Sequence, residues 1–258
     1  MIETSDIVEQ KQKKVLDRIR KRSIDLEKQS ILKTESKELK FAVTDVGCDD
    51  MGAILKKLDY TYTLIGDSEI SDYNVLRKYN ALFINCGRGG DPNTNKECLR
   101  KFVQNGGIIY ISDLSAPQIS TAFPNFLEFS SGGIADQWVN AIVINQELRE
   151  IIGSEIKIYF DLGSWIPIER VSAEAHVYLT GSFRTNTAFK ENKPILASFK
   201  YGNGEVIYTS FHNHRQATEK EEKLFKFFIL KSVSAISKIP VLTLAQSKGL
   251  IPISNNQK

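Results

Sequence analysis

Apolar residues are sparse at the start of the chain and then settle into short, dense runs. Between Asp6 and Ser30, Val8, Val15, Ile19 and Leu26 fall near a seven-residue spacing, and Gln12 and Arg22 interrupt the seam. This pattern predicts one long polar helix, either solvated on a domain edge or paired with a partner helix. From residue 40 onward, continuous apolar runs alternate with amphipathic stretches. KFAVTDV, NALFINC and IIYISD read as buried strands, and YTYTLI as a β-rich run. DDMGAILKKL reads as a helix with Asp49 and Asp50 suited to its first turn. SDYNVLRKY is a short helix capped by Ser71 or Asp72. TNKECLRKFVQN is amphipathic, with Leu99, Phe102 and Val103 at helical spacing and a Gly-Gly pair closing it. Continuous apolar strands separated by helices imply a parallel sheet covered on both faces.

The pattern loosens after Pro117. TAFPNFLEFSSGGIADQW, rich in aromatics and glycine, predicts a long irregular excursion. VNAIVINQELREIIG is mixed and ends in a helix that stops at Gly153. EIKIYFDLG, EAHVYLTGSF, PILASFKYG and GEVIYTSF read as strands, and KYGNGE as a hairpin-like turn in which Gly202, Asn203 and Gly204 tolerate positive φ. EKEEKLFKFFILKSV is the closing helix, with Leu224, Phe227, Phe228 and Leu230 facing inward. From Pro240 onward there is no clear periodicity, so a tail is expected. The resulting division is a charged helix over 1–38, an α/β domain over 39–235 and a tail over 236–258.

Composition narrows the function classes. The 258 residues are 41% hydrophobic and 25% charged, with 34 Lys/Arg against 31 Asp/Glu, an ordinary globular balance at net +3. Residues 1–40 hold 11 Lys/Arg and 8 Asp/Glu, so the whole excess lies there and the remainder is formally neutral. A strongly basic nucleic-acid binder is therefore not expected. No apolar run approaches the roughly 18 residues of a membrane span. The polar start MIETSDIVEQKQKK does not read as a signal peptide. Cys48, Cys86 and Cys98 are odd in number and lack metal-type spacing, which suggests a reduced, cytoplasmic protein with no disulfide framework.

Ligands of parallel α/β sheets bind beyond the C-terminal ends of the strands, and three such ends carry unusual residues. Asn85-Cys86-Gly87-Arg88-Gly89-Gly90 is a glycine-rich loop that could cradle an anion or simply make a tight turn. It has neither the Gly-Lys-Ser/Thr of a Walker loop nor a dinucleotide fingerprint. Cys86 is a nucleophile only if its thiol ionises, and otherwise a small packed hydrophobe. In Ser112-Asp113-Leu114-Ser115, Asp113 could orient a histidine, bind a hydroxyl or cap a turn. Phe211-His212-Asn213-His214 holds two of the three histidines, suited to acid/base work or ligand contact. His-x-His could also offer two imidazoles to a metal, but no local Asp/Glu pattern supplies a third ligand, so no metal and no cofactor is expected. His176 reads as a structural strand residue, and Trp165 as a packing anchor or a pocket wall.

The order of these segments, NALFINCGRGG, then LRKFVQNGGIIYISD, then a late strand ending in Phe-His, resembles the class I glutamine amidotransferase-like superfamily over about residues 40–232, with ThuA-like domains as the nearer branch. The resemblance implies a flavodoxin-like sandwich with a mostly parallel sheet, here with an N-terminal helical extension. It implies an oxyanion hole at Cys86–Gly90 and a nucleophilic cysteine in a G-x-C-x-G elbow after the next strand. Ile111-Ser112-Asp113-Leu114-Ser115 has no cysteine and no flanking glycines, and FHNH has Asn213 and His214 where the family's F-H-P-E has Pro and Glu.

Glutaminase chemistry needs a thiolate and a base, so it is not expected here. Three readings remain. The first is a non-catalytic module that binds a ligand through Cys86, Gly87, Arg88, Gly89, Gly90, Ser115 and His214, or docks a protein through the N-terminal helix and the aromatics Phe123, Phe126, Phe129 and Trp138. The second is a hydrolase with Asp113 and His212 as an acid/base pair, its sugar substrate suggested by analogy with ThuA-like proteins. The third makes Cys86 the nucleophile with His212 as its base, and it requires a partly exposed thiol.

Overall fold

The computed structural model describes residues 39–252, apart from 131, 132, 134, 135, 162 and 215–217, together with 13, 14 and 18. The helix expected over 6–30 lies outside the described residues save for Lys13, Lys14 and Arg18, which are helical. The chain divides into two compact units, Met1–Glu38 and Leu39–Lys258. Among the described residues, every strand belongs to the second unit.

Its first half is the alternation the apolar runs predict. Strands β1 (Phe41–Thr44), β3 (Ala81–Ile84) and β4 (Ile108–Ser112) are buried at every position, as strands covered on both faces must be. β2 (Tyr62–Ile65) is mostly exposed and forms an edge. Helix α1 (Met51–Lys57) starts at Asp50, whose carboxylate accepts from the Ala53 amide. Two single-turn helices, α2 (Asp67–Ile70) and α3 (Tyr73–Leu76), lead into β3. The strong start of α4 (Pro92–Gln104) has two causes: Asp91 accepts from the Asn93 and Thr94 amides, and Pro92 lacks only an N–H that would go unpaired there.

After β4 come a 3₁₀ turn (Asp113–Ser115) and α5 (Ala116–Ala122). The excursion predicted after Pro117 contains β5 (Leu127–Phe129), which pairs with β8 (Ile168–Val171) in a separate two-stranded sheet. β6 (Gln137–Val143), α6 (Gln146–Ile152), β7 (Glu155–Phe160), β9 (His176–Arg184), β10 (Phe189–Tyr201) and β11 (Gly204–Thr209) complete the strands. α7 (Glu219–Ser237) closes this part, with Thr218 and Glu221 forming a capping box at its start.

Among the described residues the main sheet has the order β2-β1-β3-β4-β11-β10-β9-β6-β7. Pairing is parallel from β2 to β11 and antiparallel from β11 to β7, so the sheet is mixed, and the expected parallel character holds for its first five strands. On one face, Leu82, Ile84, Ile109, Ile111 and Phe199 pack with Leu99 and Phe102 of α4 and Ile119 of α5. On the other, rings run from Tyr60 through Phe41, Phe83 and Tyr110 to Phe228 of α7, each pair 5.5–6.0 Å apart.

The segment after Pro240 departs from the sequence expectation. Instead of an aperiodic tail, Val241–Ser247 forms helix α8, burying Val241, Leu244 and Ala245. Seven residues are too few to show a helical period, and Pro240 hides the restart. Among the described residues no single helix is long and apolar enough to cross a membrane.

Candidate functional site

Register brings the three unusual strand ends together. Ala81 lies opposite both Phe41 and Ile108, Ile84 opposite Ile111, and Ser112 opposite Thr209. The residues that leave β1, β3, β4 and β11 therefore emerge level with one another, at the edge where such sheets place ligands.

Asp113 is the first residue past β4, and its φ is +43°, a left-handed conformation on a non-glycine residue. The sharp elbow exists without the flanking glycines of the G-x-C-x-G pattern. Its carboxylate is wholly buried. Oδ1 accepts from the Ile166 amide at 2.7 Å. Oδ2 lies 3.4 Å from Cys86 Sγ and 3.7 Å from His212 Nδ1. On the far side of the imidazole, Nε2 lies 3.4 Å from Asp161 Oδ1. Trp165 packs on the His212 ring with centroids 4.3 Å apart. Asp113 and His212, the proposed acid/base pair, are thus adjacent, and a slight shift would close a hydrogen bond between them.

Asp49 joins this cluster from the loop after β1. Oδ1 accepts from the Cys86 amide at 2.6 Å and Oδ2 from the Ser112 hydroxyl at 2.7 Å. Burial raises its pKa to about 6 against those two hydrogen bonds. The sequence placed Asp49 with Asp50 in the first turn of a helix; only Asp50 serves there. Asp161 and Trp165 enter from the loop after β7, and no local pattern marks Asp161 as a neighbour of His212.

Cys86 is 1% exposed, and burial, reinforced by the Asp113 carboxylate, drives its thiol pKa well above the ordinary value. The partly exposed, ionisable thiol that a Cys86 nucleophile demands is therefore not what the fold provides.

The glycine-rich loop is turned inward. The Arg88 amide donates to Asn85 O at 2.9 Å and the Gly89 amide to Asp67 Oδ1 at 2.9 Å, so neither points at a ligand. The carbonyls of Gly89 and Gly90 accept from Gln118 Nε2, and Asn95 Nδ2 also bonds Gly89 O. The Arg88 guanidinium holds the Val46 carbonyl. Gly87 and Gly90 are exposed at the loop's surface, both with positive φ.

Ser115 Oγ straps the same loop, its one proton shared between Arg88 O at 2.8 Å and Asn85 O at 3.0 Å. Ser115→Ala is expected to lower unfolding stability by about 1–2 kcal/mol at unchanged m-value, read from a urea melt. An unchanged midpoint would show that the strap contributes nothing.

Asn213 bonds the Asp50 backbone through both side-chain atoms, fixing β11's exit to the start of α1. His214 is exposed and lines a cavity of about 220 Å³ with Asp50, Lys57 and Glu222, outside the cluster around Asp113. Of the groups that could hold a metal, Cys86, Asp113 and His212 offer three ligand atoms within 4.8 Å of one another. The sequence showed two histidines and no third ligand; of the two only His212 belongs to this group, and its two partners come from the ends of other strands.

No protein-family model matches the chain, and no curated protein matches it. Solved structures do. A putative ThuA-like protein from Bacteroides uniformis aligns at TM-score 0.56 and 14% identity, over 76% of this chain and 91% of that one. A putative GMP synthase subunit from Thermoplasma acidophilum aligns at 0.55 and 16%, over 78% and 96%. The mmIFT52 N-terminal domain aligns at 0.57 and 15%, over 76% and 97%. At these identities the likeness concerns the fold alone.

Proposed function

We propose that this chain is a non-catalytic amidotransferase-like module that acts in the cytoplasm by binding a protein partner or a small-molecule ligand. The observation that carries the reading is the elbow after β4. The position where the resemblance puts a nucleophilic cysteine holds Asp113, completely buried, with one oxygen bound to the Ile166 amide and the other against Cys86 and His212. A carboxylate is a weak nucleophile toward amides, and the Cys86 thiol beside it is buried, which favours its protonated form. Incubation of the purified chain with glutamine is expected to release no ammonia above a protein-free blank. Ammonia release that disappears in Cys86→Ser would overturn the reading.

One observation favours a second reading, a hydrolase at the same strand ends. His212 stands between two carboxylates, with Asp113 on Nδ1 and Asp161 on Nε2, an order suited to a base oriented by an acid. Under this reading, turnover of aryl glycosides or esters falls at least about 100-fold in both Asp113→Asn and His212→Asn. No turnover by the unmodified chain across such a panel removes it.

A further inference from the structure

Cys86, Asp113 and His212 leave three neighbouring strands and meet at one buried point, each no more than 1% exposed. We propose that these three side chains form a transition-metal site of zinc type, with Cys86 Sγ, Asp113 Oδ2 and His212 Nδ1 as its ligands.

The first support is distance. Zinc bonds of about 2.3 Å to sulfur, 2.0–2.1 Å to nitrogen and 2.0–2.2 Å to oxygen, set tetrahedrally, place sulfur and oxygen about 3.5 Å apart and nitrogen and oxygen about 3.3 Å apart. Here the sulfur–oxygen separation is 3.4 Å and the nitrogen–oxygen separation 3.7 Å. The third pair, sulfur and nitrogen, needs about 3.5 Å, and since all three atoms fall within 4.8 Å of one another, Cys86 and His212 close up on binding.

The second support is the state of His212. Its Nδ1 is buried and makes no hydrogen bond. With the imidazole proton on Nε2, facing Asp161 at 3.4 Å, Nδ1 presents a lone pair to the Asp113 oxygen. Either a proton or a cation between Nδ1 and the Asp113 oxygen would satisfy both atoms, and the test below tells the two apart. A carboxylate behind the distal nitrogen of a metal-bound histidine is the usual outer partner of such a ligand. The other two ligands are likewise held from behind: Ile166 N–H fixes the second oxygen of Asp113, and Asp49 fixes the Cys86 amide.

The donor set selects the cation. Sulfur, imidazole and one carboxylate suit Zn²⁺ or Co²⁺, whereas Mg²⁺ and Ca²⁺ take oxygen ligands. On binding, a Zn–S bond replaces the Cys86 S–H bond, the proton leaves to solvent, and no electron is transferred. Asp161, 14% exposed, gives its side of the imidazole some access to solvent. The inference does not depend on the chain being non-catalytic, since metal content and ammonia release are measured separately.

The test uses the full chain. It is stripped with a chelator, loaded with Zn²⁺ or Co²⁺, desalted, and assayed for metal by elemental analysis and, for Co²⁺, by absorption. The expected result is one metal per chain and a thiolate-to-cobalt charge-transfer band. That band is lost in Cys86→Ser and kept in Cys48→Ser and Cys98→Ser. Asp161→Asn, which leaves all three ligands in place, is expected to bind Zn²⁺ about 10–100-fold more weakly, and it decides the matter if Cys86→Ser fails to fold. Metal content near zero after loading would mean that a proton alone bridges His212 and Asp113, and would overturn the site. So would a band that survives in Cys86→Ser, an affinity unchanged in Asp161→Asn, or equal competition by Mg²⁺.

Discussion

Replacing Trp165 with alanine is expected to destabilise the fold by about 3–5 kcal/mol, the range for deleting a large buried aromatic side chain. Trp165 is completely buried, among the largest side chains that are. Its ring lies 4.4 Å from that of Phe160 and 4.3 Å from that of His212, so the truncation opens a cavity beside the imidazole itself. The surrounding groups cannot collapse into it freely. Phe160 is fixed in β7, and Tyr208 holds the neighbouring Ile166 carbonyl at 2.6 Å. Trp165→Phe keeps much of the volume and is expected to lose less than half as much. Guanidinium unfolding curves measure both variants, and a loss below about 1 kcal/mol for the alanine variant would show that the ring is dispensable.

The second large effect depends on pH and comes from Asp49. Burial raises its folded pKa from 3.8 to about 6, so the folded state keeps its proton where the unfolded chain has lost it. Between about pH 4 and 6 the folded protein binds more protons than the unfolded one, and this group's contribution to stability falls as pH rises. The shift of about two units corresponds to roughly 3 kcal/mol, lost on going from acid to neutral pH. Glu169 and Glu222, lowered by hydrogen bonds from Lys190 and Lys226 respectively, act with the opposite sign, which makes the total profile a poor readout. Asp49→Asn isolates the effect. Asparagine still accepts from the Cys86 amide and can donate to Ser112. Its stability relative to the unmodified chain, measured with chelator present, is expected to rise by about 2 kcal/mol from pH 4 to 7. A difference that stays flat over that range would mean Asp49 ionises normally.

The parallel half of the molecule was legible because each of its elements obeys a local rule. FAVT, ALFI and IIYIS are apolar but for the closing Thr44 and Ser112 and lie inside the parallel half of the sheet, and Leu99, Phe102 and Val103 share one buried helix face. Of the antiparallel half, β7, β9 and β10 were legible as strands, β6 lay in stretches read as irregular or mixed, and the place of none of them was legible. Nothing local tells β11 to insert beside β4 while β9 pairs with both β10 and β6. The same limit applies to the site. Strand ends pointed to Cys86, Asp113 and His212, since ligand positions follow from topology. Asp161 and Trp165 reach His212 only through long-range folding. Asp49 looked like a helix-capping residue until the structure assigned that task to Asp50 alone. Ser115 and the glycine-rich loop matched a binding pattern in the sequence, yet most of their polar groups satisfy one another.

The insertion of β11 next to β4 also bears on how the chain comes together as it is made. Tyr110 and Thr209, hydrogen-bonded at 2.9 Å, are 99 positions apart. A ribosome that has released β4 must still synthesise all of that intervening chain before its partner emerges. Until then the open flank of β4 can pair with a wrong strand, its own or a neighbour's. Assembly is therefore expected to be slow. The cluster around Asp113 draws on residues from Asp49 to His212, so it can be completed only after β11 has emerged.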